Sequence, residues 1–118
     1  MTRNTYNAVG VMSGTSLDGI DLCWAEFSKK EAWSFRILAA ETLLYSEDMK
    51  ARLSTSIALK ADQLNELNSD YTTYLGCEIN NFIQKHNIIN LDAVCSHGHT
   101  VFTNLKRGLH YKLATYPN

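Results

Sequence analysis

An α/β fold, opening on an antiparallel three-strand meander and continuing through helices to a further strand, is what this 118-residue sequence predicts. Three observations carry it. Apolar and polar residues alternate on both sides of an early glycine-bearing bend. After Ser46 the apolar period lengthens from two residues to four, and at Ala93 to Cys95 a short apolar run returns. Strands, then helices, then a strand is an α+β or α/β order.

Tyr6 to Met12 reads as a buried strand around Val9 and Val11. Ile20 to Phe27 reads as a second, with Ile20, Leu22 and Trp24 alternating against Asp21, Cys23 and Ala25. Between them Asp18-Gly19 is a dipeptide that turns hairpins. After the polar turn at Ser28 to Glu31, Trp33 to Tyr45 alternates again and reads as the third strand. Ser46 followed by Glu47 and Asp48 is a helix N-cap with acids in its first turn, and Met49, Leu53 and Ile57 form one helical stripe. A longer helix from about Ala61 to about His86 places Leu64, Leu67, Tyr71, Leu75, Ile79 and Phe82 on one face. The strand Ala93 to Cys95 ends in a polar loop, and the sequence carries no internal repeat or interdomain linker.

One domain is the most such a length supports. Hydrophobic residues make up 45% and charged residues 19%, the profile of a soluble globular protein rather than a disordered one. Eleven basic and 12 acidic side chains leave a net charge of -1, so nucleic acid and anionic membrane are not expected partners. The apolar run Ala8 to Met12 is too short for a secretory signal, and no stretch is long enough to span a bilayer. Cys23, Cys77 and Cys95 form no CxxC pair and are odd in number, which reads as free buried thiols in a reducing cytoplasm.

The bend Ser13-Gly14-Thr15-Ser16-Leu17-Asp18-Gly19 supports two readings. Its glycines let backbone N–H groups converge on one spot, its hydroxyls can donate to phosphate oxygens, and Asp18 and Asp21 could hold a Mg²⁺-bound water. The other reading is a plain glycine-bearing hairpin turn. Neither a Walker A lysine motif nor GxGxxG is present.

"GVMSGTSLDGID" (Gly10 to Asp21), followed by "SHGHT" (Ser96 to Thr100) at a strand end, resembles the anhydro-N-acetylmuramic acid kinases of the actin/sugar-kinase ATPase superfamily. The resemblance runs from about Val9 to Phe102 and covers only the N-terminal part of such a two-domain kinase. It implies a ribonuclease H-like, actin-like ATPase N-terminal subdomain, present here as an incomplete domain. It implies a cytoplasmic transferase that phosphorylates 1,6-anhydro-N-acetylmuramic acid with ATP and Mg²⁺ while opening the anhydro ring, in peptidoglycan recycling. On that carry-over Gly14, Thr15, Ser16, Leu17, Asp18, Gly19, Ile20 and Asp21 form the ATP phosphate loop, and Asp18 and Asp21 approach Mg²⁺ through water. Its donors would bear the charge on the transferred phosphoryl group. Ser96, His97, Gly98, His99 and Thr100 would sit near the sugar. The family's general base is an aspartate in a later segment with no counterpart in this sequence.

Residues 1–102 therefore read as the N-terminal part of a sugar-kinase ATPase domain and residues 103–118 as a divergent tail. The family usually continues with His-x-Pro and a Leu-Gln-Ile-Gly strand, where this chain has "TNLKRG" and "LHYKLATYPN". Both family pieces reappear if suitable codons for the tail are read one nucleotide earlier, so a single-base deletion near Phe102 would explain the departure. A tail of that origin is expected to be poorly packed or extended.

Three functions follow. The first is the family's sugar kinase. The second is a non-catalytic truncated remnant, or a module that weakly binds phosphate or a partner, with an open sheet edge that invites association, self-association included. The third is a metal site on His97 and His99, against which a loop pair with ordinary hydrogen bonds is the plainer reading.

Overall fold

The computed structural model describes residues 3–13, 19–96, 99–104 and 109–113, the last two stretches by backbone path alone. Strands β1 (Thr5–Ser13), β2 (Ile20–Lys29) and β3 (Trp33–Leu43) are followed by helix α1 (Glu47–Ser54), a 3₁₀ turn (Ser56–Ala58) and helix α2 (Ala61–Lys85). Strand β4 (Ala93–Ser96) and a hairpin of β5 (His99–Asn104) and β6 (Leu109–Leu113) complete the described chain. The main sheet has the order β3-β2-β1-β4, antiparallel within the meander and parallel where β4 joins β1. The fold is α/β with a mixed four-stranded sheet, as the residue pattern predicts.

Alternation decides which side of the sheet each residue serves. Val9, Val11, Ile20 and Leu22 point to one face, and Leu67, Tyr71, Leu75 and Phe82 of α2 pack on them. Each such side chain removed from water stabilises the fold by roughly 1.5–3 kcal/mol. Among the described residues no element covers the other face.

The helix ends follow from local chemistry. Ser46 Oγ accepts from Met49 N at 3.2 Å, closing the first turn of α1. Helix α2 stops because Asn87 takes φ 52°, a left-handed conformation that asparagine tolerates. Ile88 N then donates to Ile83 O at 3.0 Å and Asn87 N to Gln84 O at 3.2 Å. Ile88 is buried beyond that stop.

Two ionic ties fix α2 and β4 on the sheet. Glu41 accepts from Lys85 Nζ at 2.5 Å and lies 3.2 Å from His86 Nε2. The Lys85 contact, aided by His86, holds the Glu41 carboxyl below its usual range. Asp92 accepts from Arg3 and from Asn7 N, each at 2.8 Å, and returns its own N–H to Asn7 O at 2.9 Å. The Arg3 contact first, then the Asn7 amide, lowers the Asp92 pKa. This clasp lies just before the parallel register Ala8↔Ala93 and sets it.

Four expectations change. The helical stripe breaks before Ile57, which sits in the 3₁₀ turn and is 69% exposed, because α1 ends at Ser54. Residues Ser13 and Ile20 are cross-strand partners, so the β1–β2 connection runs from 14 to 19. A two-residue turn at Asp18-Gly19 would instead pair residue 17 with Ile20. The cysteines are free, but Cys77 and Cys95 are exposed rather than buried. The stretch after Ser96 yields strand β5, and the tail returns antiparallel to it as β6. Backbone pairing thus extends into the segment expected to be poorly packed or extended; the packing of Leu109 to Tyr116 lies outside the described side chains.

Candidate functional site

Parallel pairing of β1 with β4 is what brings the two sequence motifs together. Val11 stands opposite Ser96, so β1 and β4 both end at the same edge of the sheet. The Gly/Ser/Thr connection leaves β1 there and the His-Gly-His segment leaves β4 there. Ligands of open α/β sheets gather at such carboxyl ends of strands.

Gly14, Thr15, Ser16, Leu17 and Asp18 lie outside the described residues, as do His97 and Gly98. His99 and Thr100 open β5, and their side chains are likewise outside the description. Three residues of the proposed phosphate loop are described. Gly19 backs directly onto the Leu43–Leu44 main chain, where a Cβ would collide with Leu43 O and lie 3.0 Å from its carbonyl carbon. Ile20 is buried in the core, so only its backbone can serve a ligand at the loop. Asp21 is exposed, and Thr42 Oγ1 donates to its Oδ1 at 2.5 Å.

Below these groups is a hollow of about 700 Å³ in the uncovered sheet face, lined among others by Gly10, Met12, Asp21, Cys23, Thr42 and Cys95. Its floor is low at Gly10, which stands between Cys23 on β2 and Cys95 on β4, and a Cβ there would meet nothing within 4 Å. Such a volume is in the range of small-molecule sites.

The stem of the loop is anchored from the other side. Ser13, the last residue of β1, is buried and its side chain hydrogen-bonds with Tyr45 and Tyr71. The two phenolic oxygens are 2.8 Å apart. Burial, the largest influence on each, pushes both phenol pKa values up, so the cluster is neutral and held by hydrogen bonds. Sequence reading missed this cluster and Thr42. Tyr71 looks like any apolar member of the α2 stripe, and Thr42 joins Asp21 only through the β2–β3 register.

Among the described residues no group of three His, Cys, Asp or Glu side chains could hold a metal ion. The His97 and His99 pair lies outside the residues on which that statement rests. No described helix is long and apolar enough to cross a membrane.

The family model described as anhydro-N-acetylmuramic acid kinase matches residues 6–115. Its span passes Phe102 and takes in most of the segment that the sequence motifs set apart. Among curated relatives, the anhydro-N-acetylmuramic acid kinase of Actinobacillus pleuropneumoniae serotype 7 is 33% identical over 108 residues, covering 86% of this chain and 28% of the relative. The protein of that name from Synechococcus elongatus is 32% identical over 98 residues, covering 80% and 25%. That from Haemophilus influenzae is 29% identical over 99 residues, with the same coverage. The chain spans about a quarter of the length of the relatives it matches.

Proposed function

The chain belongs to the anhydro-N-acetylmuramic acid kinase family, and from that premise we propose that residues 14–21 hold the terminal phosphates of Mg²⁺-ATP. One observation supports this above the rest: β1 and β4 run parallel and deliver the hydroxyl- and glycine-bearing connection and the His-Gly-His segment to one edge. The connection supplies amide and hydroxyl donors whose dipoles suit phosphate oxygens.

The described residues fit such a ligand. Asp21 offers an exposed carboxylate at the mouth of a hollow of about 700 Å³, oriented by Thr42. Mg²⁺ keeps several waters and takes few carboxylates, which matches a role for Asp21, with Asp18, through a bound water. When bound, the ion would neutralise phosphate charge. The residues of this chain would bind and orient: the connection grips phosphate, Asp21 positions water, and Ser96 to Thr100 face the sugar across the same edge.

Transfer to 1,6-anhydro-N-acetylmuramic acid needs groups beyond these, since a catalytic base must lie within hydrogen-bond reach of the proton it takes. We assign this chain the phosphate-binding share of the family's reaction. An ADP-release assay with ATP and the anhydro sugar tests that division. The chain alone is expected to give no ADP above the sugar-free background. Sugar-dependent turnover by the chain alone would contradict it.

A further inference from the structure

Both ends of the connection between β1 and β2 rest on one short segment. Gly19, at the far end, backs onto the main chain of Leu43 and Leu44. Ser13, at the near end, hydrogen-bonds with Tyr45, the next residue along, and with Tyr71 of α2. Residues 43–45 therefore serve both stems. The same segment is fastened to α2 twice. The phenolic oxygens of Tyr45 and Tyr71 are 2.8 Å apart, and Ser46 N donates to Tyr74 Oη at 3.1 Å.

Ser13 is 3% exposed, Tyr45 6% and Tyr71 0%. Stability alone does not account for three hydroxyls there. Replacing all partners of a buried hydrogen bond by apolar groups of the same shape is nearly neutral, and the Tyr71 ring already supplies the packing. What buried hydroxyls add is placement, because a hydrogen bond prescribes distance and angle and a satisfied network specifies one arrangement.

We propose that Ser13, Tyr45 and Tyr71 are positioning residues for phosphate binding: their hydroxyls fix the stems of the β1–β2 connection, and Ser13 is not itself a phosphate ligand. The proposal rests on the phosphate reading of residues 14–21. Ser13 shares the covered face of β1 with Val9 and Val11, away from the hollow at Gly10. Its hydroxyl is spent on the tyrosines, which leaves Thr15, Ser16 and the backbone amides of the connection as the donors for phosphate. Donors placed before the ligand arrives need no reorganisation when it binds, so slack in the stems is read as lost affinity.

Calorimetric titration of the full chain with Mg²⁺-pyrophosphate and with Mg²⁺-ATP, well below the melting temperature of every variant, tests this. Tyr45→Phe, Tyr71→Phe and Ser13→Ala should each raise the Kd for both ligands by about five- to tenfold, as loss of one hydrogen bond from a positioning network does. Ile88→Val is the control, a trim of the buried core beyond the end of α2. It should lower the melting temperature and leave both Kd values at wild type. Wild-type affinity in Tyr45→Phe and Tyr71→Phe would overturn the positioning role while leaving the phosphate reading intact. Loss of affinity in Ser13→Ala alone would make Ser13 a direct ligand, and an equal loss in Ile88→Val would make the effect one of general stability; either overturns the proposal. A wild-type chain that binds neither ligand would remove the phosphate reading and the positioning role with it.

Discussion

Gly19→Ala will cost the protein about 3 kcal/mol of stability, a loss at the upper end of overpacking effects. The cause is backbone against backbone. A Cβ at Gly19 collides with Leu43 O and comes within 3.3 Å of Leu44 Cα. No rotamer change relieves a clash with main chain. Relief requires the end of β2 to move off β3, and Ile20, one residue on, is fully buried in the core. Gly10→Ala is the matched control, because its Cβ meets nothing within 4 Å. That change should leave stability unchanged or raise it by about 0.5–1 kcal/mol, as removal of a strand glycine does. Urea midpoints of the two variants read the contrast directly. Equal midpoints would show that Gly19 is chosen for the loop's ligand alone and not for its packing.

Tyr71→Ala is expected to destabilise by about 4 kcal/mol, the loss of a large core aromatic. Tyr71 is completely buried, and its ring lies 6.2 Å from that of Tyr45. Against a typical total of 5–15 kcal/mol, such a loss brings much of the population to the unfolded state on mild heating. Tyr71→Phe separates ring from hydroxyl. It keeps the packing but deprives Tyr45 and Ser13 of a buried partner, at about 1–2 kcal/mol. Thermal melts of the two variants check both figures. If Tyr71→Phe matched Tyr71→Ala, the hydroxyl cluster and not the ring would be the support of the loop stem.

The meander was legible in the sequence because alternation with a period of two is visible wherever one face is buried. Val9, Val11, Ile20 and Leu22 announce the covered face without any knowledge of what covers it. The helix α2 was legible for the same reason at its longer period. Its end at Lys85 follows from Asn87 and Ile88, a stop signal that local sequence carries only weakly. Ile57 misled because a four-residue recurrence continues past Ser54, whereas the chain leaves the helix there.

The site divides along the same line. Residues of the Gly14 to Asp21 stretch are contiguous and chemically unusual, so they stand out in one dimension. Thr42, Tyr45 and Tyr71 reach the loop only through register and packing, which no spacing in the sequence encodes. Asp92 is similar: it fixes β4 on β1 and so makes the two motifs neighbours, yet reads as an ordinary loop carboxylate. Strand β6 carries a short alternation, Leu109, Tyr111 and Leu113 against His110 and Lys112, which goes unread because the stretch stands outside the family motifs.

The central claim is that the connection between β1 and β2 grips nucleotide phosphates. Titrating the ¹⁵N-labelled chain with Mg²⁺-ATP, and in parallel with Mg²⁺-pyrophosphate, while following backbone amide shifts tests it most directly. The account predicts saturable shifts with both ligands at residues 13–21 and 96–100, with the amides from Leu75 to Lys85 of α2 unmoved. Amides of 14–19 that stay in place at saturating Mg²⁺-ATP, or shifts confined to other parts of the chain, would contradict it.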